Sequence, residues 1–475
     1  MAVGLIAVPL LVHRMGLARF GVLSLAWVVI GYFSLFDLGI GRALTKLVAD
    51  RLGSGDETNI PPLAWTSLLL MLLLGVLGGL LVGATTRWLV HKVLKIPLQL
   101  QAETIYSFYL LAISIPLVTV TSGLRGILEA QQRFRILNVI RIPMSIFSFA
   151  GPLLTLPFSP SLVPVVGILL AGRLGGLVAH LWACFRTMPS MAHHFELRRS
   201  FLLPVFKFGG WMTVSNVVSP LMSYLDRFII GSLLSVSALA YYTAPFDVVT
   251  RIGVIPQAIA GVLFPAFTLS LIQDPKRAEL LLYRGLKYIL FAVFPVLLCL
   301  TLLAPEALRV WLGSAFAEHG TVALRWLAAG VFVNCFAHVP FALIQSGGRP
   351  DITAKLHLIE LPFYILAVWY FTTHLGIEGT AIAWAVRVTV DAICLFVLAH
   401  KILPQQVIFY PRLAGAIGLG LLLFYGATLL HSMTGKVVFL AATLALCAGG
   451  GWLWALDSVE RTFLFRGKIE ALSTQ

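Results

Sequence analysis

The sequence predicts an all-α membrane protein with about 14 transmembrane helices. Of its 475 residues, 59% are hydrophobic and only 11% are charged, whereas roughly a quarter of the residues in a soluble domain carry charge. Apolar windows of about 18 or more residues recur along the chain between short polar joints, and each is long enough to cross a hydrocarbon core about 30 Å thick. Such windows are too long and too continuous to be core helices of a soluble fold.

The apolar windows predict 14 spans, including one at the start of the chain. The first window lacks the basic start and the small-residue cleavage site of a signal peptide, so we interpret it as a span. All five cysteines lie inside apolar windows without C-x-x-C spacing, which predicts no disulfide, metal site or cofactor. The predicted spans are residues 1–12, 21–45, 62–87, 104–128, 138–157, 161–185, 203–232, 237–271, 283–304, 321–345, 353–373, 376–400, 410–431 and 435–457.

The basic residues that give the chain its formal net charge of +14 lie mostly in the predicted loops. If the N-terminus is cytoplasmic and the spans alternate, most lysines and arginines fall in cytoplasmic segments, as the positive-inside rule requires. We therefore predict a multi-pass protein of the bacterial inner membrane with both termini in the cytoplasm. Because topology accounts for most of the basic excess, the charge is not a signal of a partner: we expect no nucleic-acid partner, and membrane lipids as the surroundings of the spans.

Four basic residues lie within apolar windows instead. A charged side chain at the centre of a bilayer costs about 2.5–3.5 kcal/mol on insertion scales, so such residues are candidate functional groups. Arg173, Arg251 and Arg387 lie roughly 17–21 Å from the outer ends of their spans at 1.5 Å per residue. Arg227 lies near an outer helix end, where its side chain could snorkel to the interface.

Acidic residues accompany these arginines. Asp247 and Arg251 are four residues apart, as are Arg387 and Asp391, so each pair shares a helix face and could form an ion pair. The alternative to a functional role is that the pairs only neutralise each other between helices. The acidic candidates for ion pairing or ion coupling are Asp37, Asp247, Asp391 and Asp226.

The chain also repeats itself at an offset of roughly 210–216 residues. Phe36-Asp37 with Arg42 matches Phe246-Asp247 with Arg251, Arg133 matches Arg349, and Arg173 matches Arg387. The offset spans six helices, an even number, so the two copies share one orientation. We predict two parallel six-helix repeats around a central cavity, at residues 1–202 and 203–402, followed by a C-terminal helix pair and tail at 403–475.

Two such bundles suggest alternating access, with a binding site at mid-depth between them. Arg173, Arg251, Arg387 and Arg227 would line that site with positive charge. A guanidinium binds phosphate through two parallel hydrogen bonds and keeps its charge when desolvated. The predicted cargo therefore carries phosphate or another anion.

Five blocks of sequence resemble the Wzx-type polysaccharide flippases, a branch of the multidrug, oligosaccharidyl-lipid and polysaccharide exporter superfamily. They are GLARFG at 16–21, FDLGIGRA at 36–43, DRFIIG at 226–231, AYYTAP at 240–245 and LIQSGGRP at 343–350. The resemblance covers roughly residues 1–400. The resemblance implies two six-helix bundles, a cationic cavity and transfer of a lipid-diphosphate-linked saccharide from the inner to the outer leaflet. It also implies membrane lipids and polysaccharide assembly proteins as partners.

Other classes stay open. The sequence lacks a phosphate-binding G-x-x-x-x-G-K-[ST] loop and a D-x-D motif, so neither an ATP-driven pump nor a sugar-nucleotide transferase is indicated. An ion-coupled drug or small-molecule antiporter of the same superfamily would share the architecture but favour acidic intramembrane sites. An O-antigen polymerase-like protein would be expected to carry a larger external loop. We expect a transporter and no catalytic residues, while the saccharide, energy source and oligomeric state are not readable from the sequence.

Overall fold

The computed structural model describes residues 2–32, 40–193, 195–203, 222, 224–403 and 409–450. Almost all of these residues are helical, and they form no strand. The main helices, in chain order, are α1 (Ala2–Met15), α2 (Leu17–Tyr32), α3 (Ile40–Ser54), α4 (Ile60–Trp88), α5 (Leu98–Ala130), α6 (Phe134–Thr155), α7 (Leu162–Thr187), α8 (224–233), α9 (Val236–Thr250), α10 (Val254–Gln273), α11 (Pro275–Leu302), α12 (Ala304–Leu312), α13 (Ser314–Ser346), α14 (Pro350–Ile402), α15 (Phe409–Thr428) and α16 (Met433–Gly450).

The lengths of these helices fit a bilayer. Among the described residues, eight helical segments are long and apolar enough to cross a membrane, and four shorter apolar helices lie at Ile6–Met15, Leu17–Trp27, Leu413–Thr428 and Met433–Gly449. The longest segment, α14, kinks at Gly376, where φ is 62°, a left-handed value that glycine adopts without steric cost. It therefore comprises two consecutive helices. The predicted all-α membrane fold is confirmed.

Several predicted spans are only partly covered by the described residues, including the last, 435–457, whose described part ends at residue 450. Most of the span 203–232 lies outside them, because residues 204–221 are not described. Within the span 21–45, α2 ends at Tyr32 and α3 begins at Ile40, and the residues between them are not described either. α3 continues to Ser54, nine residues beyond the predicted end of that span.

The chain divides into two compact units, of which the first comprises residues 1–244 and 365–380. Its helices α4 and α5 pack closely, since a Cβ added at Gly75 would lie 2.7 Å from the Cα of Pro116. The hydroxyl of Thr119 donates a hydrogen bond to the carbonyl of Met71 across the same interface, at 3.1 Å. Helices in lipid associate through such small residues and interhelical hydrogen bonds, because burial from water contributes little there.

Polar contacts join helices at each end of the first unit. The carboxylate of Glu103 on α5 accepts hydrogen bonds from the Arg19 guanidinium of α2, at 3.1 Å, and from the backbone N–H of Leu162 at the start of α7. Near the start of α4, the backbone N–H of Arg198 donates to the hydroxyl of Thr66 at 3.0 Å. In the predicted topology, the segments joined by Glu103 lie at the outer side of the membrane. The segments joined by Arg198 and Thr66 lie at the cytoplasmic side.

The second unit comprises residues 245–364 and 381–475. The rings of Phe294 on α11, Phe332 and Phe336 on α13, and Phe424 on α15 form a buried cluster with centroids 5.1–6.0 Å apart. A Cβ added at Gly330 would lie 2.8 Å from a ring atom of Trp384. Glycine at that position thus lets α13 approach the second half of α14. The predicted boundaries at residues 202 and 402 and the predicted central cavity stay predictions.

Candidate functional site

Arg173 lies in the middle of α7, in the first unit. It is half-buried, and within the described residues it makes no hydrogen bond or ion pair. The neighbouring helix α6 is apolar there, since Cβ atoms added at Gly172 and Gly176 would meet the side chains of Phe147 and Met144. A guanidinium in such an apolar setting is costly unless it meets water or an anion. The arrangement suits the capture of an anionic group.

Arg387 and Asp391 lie in the second half of α14, in the second unit. The structure corrects the expected pairing between them, because the carboxylate of Asp391 instead lies 3.5 Å from Nε2 of His357. The Arg387 guanidinium lies over the ring of Tyr364, 5.3 Å from its centroid, which is a cation–π contact. Its Nε is buried and has no hydrogen-bond partner among the described residues. Arg387 thus offers a buried hydrogen-bond donor that no described residue uses.

Glu360 is the residue that the sequence analysis missed. It lies on the first half of α14 and is only 8% exposed, and within the described residues neither of its carboxylate oxygens has a hydrogen-bond partner. Arg387, Asp391 and His357 are close enough to act on its charge. Its signal in the sequence was available, since Glu360 is the single carboxylate in the predicted span 353–373.

His338 on α13 completes this group. It lies within electrostatic range of Asp391, and its Nδ1 is 3.0 Å from the backbone carbonyl of Asn334. The His357 ring stacks on that of Phe341, with centroids 6.4 Å apart. We call His338, His357, Glu360, Arg387 and Asp391 the ionisable cluster of the second unit.

Arg227 and Asp226 lie in α8, in the first unit. Arg227 is only 3% exposed and its guanidinium lies 4.8 Å from the ring centroid of Tyr224, so the expectation that it could snorkel to the interface is wrong. Asp226 is fully buried and accepts hydrogen bonds from the Tyr242 hydroxyl at 2.6 Å and from the backbone N–H of Arg227 at 2.8 Å. These donors stabilise the charged carboxylate, which favours a structural role for Asp226.

The remaining candidates are Arg251, Asp247 and Asp37. Arg251 lies in a short 3-10 turn, Arg251–Gly253, between α9 and α10, and its side chain is exposed. Among the described residues it forms no ion pair with Asp247, so the expected pairing of these two residues is corrected as well. Asp37 lies outside the described residues. In the part of the chain that the structure describes, no group of three or more His, Cys, Asp and Glu side chains could hold a metal ion.

The sequence is similar to those of known proteins that are named as transporters and flippases. A family model described as "Polysaccharide biosynthesis protein" matches residues 15–321. The chain is 31% identical to the "Putative O-antigen transporter" of Shigella flexneri, over 82% of this chain and 93% of that protein. It is 22% identical to the "Probable low-salt glycan biosynthesis flippase Agl15" of Haloferax volcanii, over 80% of this chain and 76% of that protein.

A solved structure supports the fold. An inward-facing multidrug resistance MATE family transporter of the MOP superfamily superposes with a TM-score of 0.70, at 16% identity, over 86% of this chain and 94% of that chain. At that identity the likeness concerns the fold alone. The family model covers well over half of the sequence, and the Shigella protein is matched over nearly its whole length. The chain therefore belongs to the polysaccharide biosynthesis protein family.

Proposed function

We propose that the protein is a flippase that moves a polyprenyl-diphosphate-linked saccharide from the inner to the outer leaflet by alternating access. The observation that carries this proposal is the 31% identity to an O-antigen transporter across 93% of that protein. The resemblance to a glycan biosynthesis flippase supports it. The protein would act as a transporter of the bacterial inner membrane, with both termini in the cytoplasm and without a covalent step.

Arg173 and Arg387 are the residues we assign to the diphosphate. Each lies inside an apolar helix, and neither is ion-paired within the described residues. A diphosphate would supply the acceptors that a guanidinium fork requires, and the fork keeps its charge on desolvation. Arg227 is less suited because buried Asp226 lies beside it, and Arg251 is exposed.

Substitution of these arginines tests the assignment. Arg173→Ala and Arg387→Ala should each lower surface polysaccharide about 10- to 100-fold, the equivalent of one charge-assisted hydrogen bond of about 1.5–3 kcal/mol. The lysine variants should recover part of the export, since an ammonium keeps the charge but loses the bidentate geometry. Lipid-linked saccharide should accumulate while the amount of protein in the membrane stays normal.

A matched control comes from α6. Arg135 is exposed, and Arg135→Ala should leave export unchanged. Loss of export that merely parallels loss of protein would show that Arg173 and Arg387 hold helices together. Normal export in a stable Arg173→Glu, Arg387→Glu double variant would refute their role in binding. A drug-efflux phenotype with normal polysaccharide would favour the antiporter of the same superfamily.

A further inference from the structure

Glu360 presents a problem of solvation. A carboxylate that loses water must find hydrogen-bond donors or a counter-ion, because an isolated buried charge is very costly. Both oxygens of Glu360 are buried, and neither receives a hydrogen bond from any described residue. Asp391, also buried, adds a second negative charge nearby, and its Oδ1 likewise lacks a hydrogen bond despite the 3.5 Å approach of His357. The described residues therefore do not provide enough hydrogen bonds to stabilise Glu360 and Asp391 when both are ionised.

Two helices contribute titratable or charged groups to the surroundings of Glu360 and Asp391. His338 comes from α13, His357 from the first half of α14, and Arg387 and Asp391 from its second half. Cys394 lies within electrostatic range of both carboxylates but is half-buried and carries no charge as a thiol. The arginine is one fixed positive charge among groups that can each exchange a proton.

The cluster occupies one layer of the membrane. Glu360 lies ten residues after the start of α14 and Asp391 eleven residues before its end, so both lie roughly 15–17 Å along their helices from the same side. His338 and His357 lie about one turn closer to that side. A buried carboxyl group with imidazoles about one turn nearer that side is suited to exchange protons with water there.

A proton fits this site better than a metal ion. Among the described residues no His, Cys, Asp and Glu cluster has the geometry to hold a metal. A cation such as Na⁺ requires several oxygen ligands, and within the ionisable cluster only Glu360 and Asp391 carry side-chain oxygens. Protonation instead removes the charge of Glu360 and turns one oxygen into a hydrogen-bond donor, which resolves the unmatched burial.

We propose that Glu360, Asp391 and His357 form a proton-binding site, in which Glu360 is the group that takes up and releases the proton. This inference does not depend on the identity of the cargo. If the protein is the flippase proposed above, the site gives it a means to couple transport to a proton gradient, since the proton would be bound in one conformation and released in another.

Carbodiimide labelling of the intact protein in detergent tests the site directly. Dicyclohexylcarbodiimide adds to a protonated carboxyl group in apolar surroundings and rearranges to a stable N-acylurea that retains all atoms of both reactants. We expect mass spectrometry to find the adduct on Glu360 at neutral pH. Its rate of formation should fall about tenfold for each pH unit above the midpoint, as the protonated fraction does. Glu378, an exposed carboxylate on the same helix, should remain unlabelled.

Neighbouring substitutions provide the internal controls. Asp391→Asn should slow labelling of Glu360 at neutral pH several-fold, because a nearby anion no longer favours the protonated form, and Arg387→Gln should accelerate it. Absence of the adduct in folded protein, or a rate independent of pH between about pH 5 and pH 9, would overturn the proposal. Protection from labelling by Na⁺ but not by K⁺ would also overturn it, in favour of a metal ion.

Transport measurements separate this inference from the proposed function. Glu360→Gln mimics the protonated state, and Glu360→Asp keeps a titratable group. We expect the Gln variant to lose pH-dependent export of polysaccharide and the Asp variant to retain it. pH-dependent labelling of Glu360 in a protein that exports no polysaccharide would sustain the proton site while removing the flippase. Export with an unchanged pH dependence in Glu360→Gln would overturn the role of Glu360 in coupling while sustaining the flippase.

Discussion

Removal of the Glu306 carboxylate should destabilise the protein more than removal of its partner, Lys436. Nζ of Lys436 on α16 lies 2.7 Å from Oε1 of Glu306 on α12, in the second unit. The Lys436 side chain is 3% exposed and that of Glu306 is 40% exposed. Glu306→Gln therefore leaves an ammonium in a dry environment without its counter-ion, whereas Lys436→Met leaves a carboxylate on a side chain that is 40% exposed and can turn its buried Oε2 toward water.

The difference in burial between the two side chains determines how much unfolding free energy each variant should lose. Breaking a fully buried ion pair by removing one partner costs about 3–5 kcal/mol. Because the carboxylate is partly solvated and glutamine still accepts a hydrogen bond, we expect about 2–3 kcal/mol for Glu306→Gln. Lys436→Met should cost less than about 1 kcal/mol. The double variant should resemble Lys436→Met, because the unpaired ammonium is no longer present.

The same pair makes stability depend on pH. Burial alone raises the pKa of Glu306, but the hydrogen bond from Lys436 and the nearby positive charges of Lys436 and Arg309 outweigh it and lower the pKa below its ordinary value of 4.5. A carboxyl group with a lowered pKa contributes stability above its unfolded-state pKa and loses it as the pH falls through the folded-state value. The wild type should therefore lose stability below about pH 4.5, and Glu306→Gln should lose less.

Tryptophan fluorescence of the detergent-purified protein can follow unfolding in all four members of this cycle. The matched control is the exposed pair of Lys355 and Asp351, 3.2 Å apart, where Asp351→Asn should cause no measurable change. Equal losses for Glu306→Gln and Lys436→Met, or losses that simply add in the double variant, would refute the argument from unequal burial.

Three further predictions concern the fold and its orientation. Tyr242→Phe should lower the free energy of unfolding by about 1.5–3 kcal/mol, since it removes a donor from the buried carboxylate of Asp226, and chemical denaturation measures this. Gly330→Ala should cost about 1–3 kcal/mol in the same assay, because the added methyl group overlaps the facing helix. Single cysteines should react with an impermeant maleimide from the cytoplasmic side at Arg133 and from the outside at Glu318, and reversed accessibility would overturn the assigned topology.

The architecture was largely predictable because a bilayer restricts the structures that can cross it. Apolar windows of sufficient length must be helices when no water is available to the backbone. The sequence also contained the family blocks. The short helix α12 was not predicted, because it lies almost entirely between the predicted spans 283–304 and 321–345. Its first turn contains Glu306, and its amphipathic pattern is too short to stand out against the flanking spans.

The partners of the intramembrane charges were not predictable to the same extent. Spacing along one helix shows that Arg387 and Asp391 share a face, but tertiary packing decides that Asp391 meets His357. Likewise, counting residues from a helix end placed Arg227 near the interface, yet the face on which it lies is buried. Glu360 could have been found by applying to acidic residues the cost argument that identified the arginines.

The leaflet in which the lipid-linked saccharide resides tests the central claim most directly. Cells that lack the protein should accumulate this lipid on the cytoplasmic face, where a membrane-impermeant saccharide-binding probe reaches it only in inverted inner-membrane vesicles. Expression of the wild type should move it to the outer leaflet, where the probe reaches it in right-side-out vesicles, while Arg173→Glu should not. An unchanged distribution between the leaflets with and without the protein would contradict the proposed flippase.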